Sequence, residues 1–161
     1  MFPFFTLTVV FVLILAYYIK KSNRAQEEVE CDFWEREQQA NHTRKQDISN
    51  LNYINIPLEK IPQNLHSENE HLLVELCQKK MLNLTDLTNT EVKLKYGAAN
   101  LEILTEYEDN YISLLHVLPD YCKELMDCGK TDEARELLLI ASLQGVDSPN
   151  IRSLLDTLSL G

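Results

Sequence analysis

From Met1 to Ile19 the chain carries no charged side chain, and Lys20-Lys21 follows at once. This stretch constrains the fold most, because a helix that is apolar all round must be covered on every side, by lipid or by protein. Pro3 to Ile19 is seventeen residues, which at ~1.5 Å per residue is near the short limit for a ~30 Å hydrocarbon core. Tyr17 and Tyr18 fall where amphipathic rings favour the headgroup layer, and the lysines can snorkel outward. A secretory signal is not expected. Leu15-Ala16-Tyr17-Tyr18-Ile19 puts bulky aromatics where a signal peptidase requires small side chains. The reading is an uncleaved single-pass anchor over residues 1–21. Lys20, Lys21 and Arg24 follow the apolar run and no basic residue precedes it, so the C-terminal body is expected on the cytoplasmic side of the cell membrane. In the alternative, an exported body, the sequons Asn41-His42-Thr43 and Asn83-Leu84-Thr85 would be usable; chance occurrence is the preferred explanation of both.

The 161 residues include 25 acidic and 15 basic side chains, a formal charge of −10. Up to Lys45 the charges balance, so the excess lies in the distal body. Such a body should avoid nucleic acid and anionic lipid. About 140 residues after the span suffice for one domain with its own core. Cys31, Cys77, Cys122 and Cys128 are widely spread, and free thiols in a reducing compartment are expected.

Residues 22–46 contain neither glycine nor proline and are rich in Glu, Gln, Arg and Ala, so the spanning helix should continue into water as a stalk. Val29, Phe33 and Ala40, with Trp34 beside them, form a thin apolar stripe on this charged rod. Its cover is either the protein's own body, a second copy, or a partner. Residues 47–66 form an extended linker, since Pro57 and Pro62 forbid a helix. Ile54, Ile56 and Leu58 are expected to point one way across the helices, and Tyr53 and Asn55 the other.

Residues 67–161 read as helices. Ser67-x-x-Glu70 has the form of a capping box for a helix reaching about Met81. Thr88 or Thr90 caps a further helix through Leu104 that Gly97 weakens or divides. Asp109-Asn110 offers another start, with Pro119 a kink or restart. Thr131 or Asp132 opens a helix closed by Gly145, and Ser148-Pro149 opens the last.

The stretch from about Leu115 to Pro149 resembles a tetratricopeptide repeat, a helical hairpin with a period of ~34 residues. Leu118, Tyr121, Cys122 and Leu125 match the first helix, Gly129 the turn, and Ala134, Leu138 and Ala141 the second helix. The resemblance implies close packing through the small residues and an antiparallel helical array that presents a surface to another protein. The layout as a whole resembles small membrane-anchored bacterial proteins of unassigned function. The expected fold class is therefore all-α: anchor, stalk, linker and a small tetratricopeptide-like array.

Sites are sparse. The glycines Gly97, Gly129, Gly145 and Gly161 never cluster as a phosphate loop would. His116, Cys122 and Cys128 recur at intervals of six, which turns each about 120° from the last around a helix, so they cannot share an ion. No catalytic residue, metal or cofactor is assigned. The most unusual surface is the acidic group Glu102, Glu106, Glu108 and Asp109 with Tyr107 and Tyr111, suited to a basic peptide segment. The preferred reading is a solvated helix end whose carboxylates lie near the next helix's positive terminus. The functional expectation is a membrane-anchored, non-enzymatic scaffold or adaptor, with membrane lipid and another protein as partners and self-association through the stalk in reserve. The alternatives are an accessory subunit assembled through span and stalk and, least favoured, a thiol-dependent membrane-bound enzyme or redox sensor relying on Cys31 or Cys128.

Overall fold

Without a helix breaker after Pro3, the chain forms one helix from its leading segment through the stalk: α1, Phe2–Asn41. The computed structural model describes residues 2–159, without the side chains of Phe2, Pro3, Phe4, Thr6, Ala25 and Ser159. The stalk helix stops about five residues short of the expected Gln46. There His42 and Thr43 donate their amides back to the last turn, and Gln46 donates to the carbonyl of Tyr96 instead. Among the described residues no helix is both long and apolar enough to cross a membrane. The span expected at residues 1–21 includes Met1, which lies outside the described residues, and Phe2, Pro3, Phe4 and Thr6, whose side chains do.

All secondary structure among the described residues is helical, apart from one antiparallel bridge between Ile54 and Met81. After α1 come α2 (Glu68–Cys77), α3 (Asn89–Tyr96), α4 (Leu101–Asp127), α5 (Thr131–Leu143) and α6 (Pro149–Ser159), with short 3-10 turns at Leu58–Lys60 and Ala98–Asn100. The protein is all-α. Helix α4 is the hub: α2 and α5 pack against it, and α6 closes over α4 and α5.

Two helices start at caps the sequence offered, but the capping box expected at Ser67 forms only in part. Thr88 accepts from the Glu91 amide while the Glu91 carboxylate accepts from the Thr88 amide, a complete capping box. Ser67 accepts from the Glu70 amide, but the returning Glu70 carboxylate takes the amides of Leu65 (2.8 Å) and His66 (3.0 Å) instead. That leaves Glu70 buried yet satisfied. Helix α5 opens at Thr131 and ends at Leu143 as its sequence indicates, with Lys130 preceding it and no side-chain cap.

Helix α4 starts anew at neither of the two places its sequence offers. It runs without interruption through Asp109-Asn110 and has Pro119 inside it. The preference of Asp and Asn for other conformations amounts to only a few tenths of a kcal/mol per residue, and an internal proline costs about 3 kcal/mol. Leu104, Tyr111, Leu114, Leu118, Tyr121, Cys122 and Leu125 are all buried along its length. At roughly 1.5–3 kcal/mol for a buried large side chain, that face outweighs both penalties.

The linker packs in two layers. Ile54, Ile56 and Ile61 enter the main core with Leu73, Met81 and the α4–α5–α6 residues. Ile48, Leu51 and Tyr53 flank a smaller cluster built on Leu82, Leu84, Val92 and Leu104. Leu58, expected beside Ile54 and Ile56, is exposed, because the chain turns into the 3-10 segment after Pro57 and the two-residue alternation ends there. The Tyr121 hydroxyl donates to the Pro62 carbonyl and pins the linker to α4.

Candidate functional site

The acidic group on α4 does not form the surface its sequence suggested. Glu102, Glu106 and Asp109 are exposed and Glu108 is half-buried, where burial and then the neighbouring Asp109 push its carboxyl above the ordinary range. Tyr111, however, is 1% exposed and belongs to the main core. Its spacing from Leu104, Leu114 and Leu118 puts it on the buried face. Tyr107 is half-buried, edge-on to Tyr53 at 5.8 Å, and both rings lie under the Lys80 ammonium. The chain itself therefore occupies both rings. What remains is a solvated acidic edge, and no helix starts at Asp109 for those carboxylates to stabilise.

The residues matching the helical-hairpin pattern are placed together. Leu118, Tyr121, Cys122 and Leu125 of α4 and Ala134, Leu138 and Ala141 of α5 are fully buried, and Gly129 makes the intervening turn at φ +77°. They belong to the main buried core.

The cysteines divide into two kinds. Burial pushes the Cys77 thiol up to about 11 and that of Cys122 to about 12, so both stay protonated near neutrality and behave as small apolar groups. Cys31 and Cys128 are exposed. Among the described residues no group of three or more His, Cys, Asp or Glu side chains is placed to hold a metal ion, and all four histidines are exposed.

The stalk is where the structure concentrates unexplained surface. Ala40 is buried against the body, whereas Val29, Phe33 and Trp34 are 69%, 53% and 60% exposed. The stripe therefore divides: its lower end docks, its upper part is bare. Docking is made by α3, whose Lys93 ammonium pairs with Glu37 and also bonds Asn41 at 2.8 Å, while Thr90 donates to Glu37 at 2.7 Å. These bonds from Lys93 and then Thr90 hold the Glu37 carboxyl below its ordinary value. Gly97, at φ +91°, lets the Arg44-Lys45 backbone pass directly against it, and the Asn100 amide bonds the carbonyls of Gln46 (2.9 Å) and Tyr96 (2.7 Å). The stalk is thus braced at a fixed attitude to the body.

Just above this joint, Val29, Asp32, Phe33 and Arg36 of α1 face Thr88, Thr90 and Glu91 at the start of α3 across an open crevice of about 420 Å³. Sequence reasoning missed the joint and the crevice. Lys93, Thr90, Gly97 and Asn100 are more than fifty residues from their stalk partners, and no local periodicity reports a contact of that separation. No family model, curated protein or solved structure matches this chain.

Proposed function

We propose that this chain is a membrane-anchored, non-enzymatic adaptor: an N-terminal helix seated in lipid, a rigid stalk, and a small tetratricopeptide-like helical body held at the cytoplasmic face. One observation carries the reading. Phe5, Leu7, Val9 to Leu15, Tyr17, Tyr18 and Ile19 lie exposed on a stretch of helix that no other described part of the chain covers. About four turns of apolar side chains would not be left bare in water; an uncharged helical surface of that kind is stable only with an apolar cover. Lys20, Lys21 and Arg24 then sit where the interface begins.

The bracing at Ala40, Glu37 and Gly97 gives the stalk a purpose in this reading. From Lys20 to Glu37 the helix rises about 25 Å at ~1.5 Å per residue, and a fixed joint holds the body at that distance. Confinement to a surface raises the effective concentration of a recruited partner without strong contacts. The second reading, an accessory subunit assembled through span and stalk, is favoured by the bare Val29, Phe33 and Trp34.

Carbonate extraction and vesicle flotation test the anchor. The full chain should stay with the lipid, and a chain lacking residues 1–21 should be released. Protease added outside intact cells should spare the body. Release of the full chain by carbonate, or external trimming of the body, would refute the proposal.

A further inference from the structure

The apolar face of the stalk continues past the point where the body lets go of it. At 100° per residue, Val29, Phe33 and Ala40 lie on one side of α1; Ala40 is covered by the body and the other two stand above it. Phe33 and Trp34 pack edge to face at 5.4 Å, so the bare surface is a preformed aromatic shelf, with the crevice against Thr88 and Glu91 at its lower end.

Charge identifies the occupant. Between residues 27 and 37 the helix carries Glu27, Glu28, Glu30, Asp32, Glu35 and Glu37 against Arg36 alone. Lys93 is committed to Glu37, and at the crevice Asp32 and Glu91 outnumber Arg36. We infer that this face of the stalk, Val29, Phe33 and Trp34 with the surrounding carboxylates, docks a basic amphipathic helical segment of another membrane protein. The inference rests on the anchored reading, which puts the acidic zone about 10–25 Å beyond the membrane exit. That is the zone where cytoplasmic segments flanking other spans are enriched in Lys and Arg. An amphipathic helix in a groove supplies apolar anchors for Phe33 and Trp34, and its basic flanks face the glutamates. A second copy fits poorly, since parallel stalks in one bilayer set each carboxylate beside its own equivalent.

Trp34 is the only tryptophan, so its emission reports the shelf directly. The full chain in phosphatidylcholine vesicles would be titrated with a tryptophan-free helical peptide having a leucine face and Lys/Arg flanks. A saturable blue shift is expected. Affinity should fall at least about tenfold for the double variant Val29→Ser, Phe33→Ser, whose sites are exposed and whose circular dichroism should be unchanged. It should fall again as NaCl rises from about 50 to about 500 mM, and the same peptide with Glu for Lys/Arg should give no shift. No shift with the basic peptide, an equal shift in the double variant or with the acidic peptide, or a blue shift that grows with protein concentration alone would overturn the inference. Flotation on the same samples separates the two claims: failure of the anchor leaves the chain off the vesicles whatever Trp34 does, whereas failure of docking leaves it afloat with unshifted emission.

Discussion

Gly97→Ala puts the bracing of the stalk to a quantitative test. Gly97 has φ +91°, and a Cβ built there would overlap the Arg44 carbonyl oxygen and lie 2.7 Å from the Lys45 Cα. Both neighbours are backbone, so neither can swing aside as a side-chain tip would. Holding a non-glycine residue at positive φ costs about 1–2 kcal/mol, and forcing apart a packed contact adds about 1–3 kcal/mol. The reduced entropy of the unfolded chain returns about 0.4–1 kcal/mol. The net is roughly 2–3 kcal/mol, a change of about 30- to 140-fold in an opening equilibrium. The change should be local to the joint, where Gln46 donates to Tyr96 and Ala98 to Thr43. Hydrogen exchange on the full chain in detergent should show the Gln46 and Ala98 amides losing about that much protection while α4 and α5 keep theirs. Gly129→Ala is the control: its φ is +77° but nothing lies within 4 Å of the added carbon, so only the strain remains, about 1 kcal/mol or less after the entropic return. Equal losses in the two variants, or unchanged exchange at Gln46 and Ala98 in Gly97→Ala, would refute the close approach of the Arg44-Lys45 backbone.

Three further outcomes follow from the packing. Leu118→Ala, at a site with no exposed surface, should cost about 2–5 kcal/mol in urea denaturation, whereas Leu143→Ala, 85% exposed, should change stability by less than about 0.5 kcal/mol. Maleimide labelling followed by mass spectrometry should modify Cys31 and Cys128 in the native chain and reach Cys77 and Cys122, held at about 11 and 12, only after unfolding. Glu70 is held below its ordinary value of 4.5, where burial opposes but the Leu65 and His66 amides, with His66 and His71 nearby, prevail. A carboxyl whose pKa is lower folded than unfolded stabilises above the unfolded value and loses that contribution as pH falls through the folded one. The stability gap between the native chain and Glu70→Gln should therefore narrow below about pH 4.5; a gap constant from pH 7 to pH 3 would show that the charge contributes nothing.

What could be read locally from the sequence was read correctly where one short-range force dominated. The cap at Thr88, one of the two threonines the sequence offered, the Pro149 start and the turns at Gly129 and Gly145 each depend on residues within a few positions, and each appears in the structure. The errors arose where a distant surface decided between local options. Asp109-Asn110 and Pro119 are breakers in isolation, yet they lie on a helix whose buried face runs from Leu104 to Leu125. Leu58 kept the right polarity for a strand that had already turned. Tyr111 fitted two patterns at once, the acidic patch and the Leu114-Leu118 face, and burial of its ring chose the second.

The stalk shows the same competition and its reverse. Val29, Phe33 and Ala40 obey one helical period, and periodicity alone treats them as equals. The body distinguishes them, because α3 reaches only as far up α1 as Thr90 and Lys93 can bond Glu37. Below that point the stripe is core; above it the same pattern becomes surface, and the carboxylates that crowd it outnumber the one basic residue among them, Arg36. A stripe meant only to seat the body would have ended at the joint. That Phe33 and Trp34 continue it upward, aromatic and uncovered in the most acidic stretch of the helix, is why the stalk, rather than the tyrosine-bearing edge of α4, is the surface on which a partner should be sought.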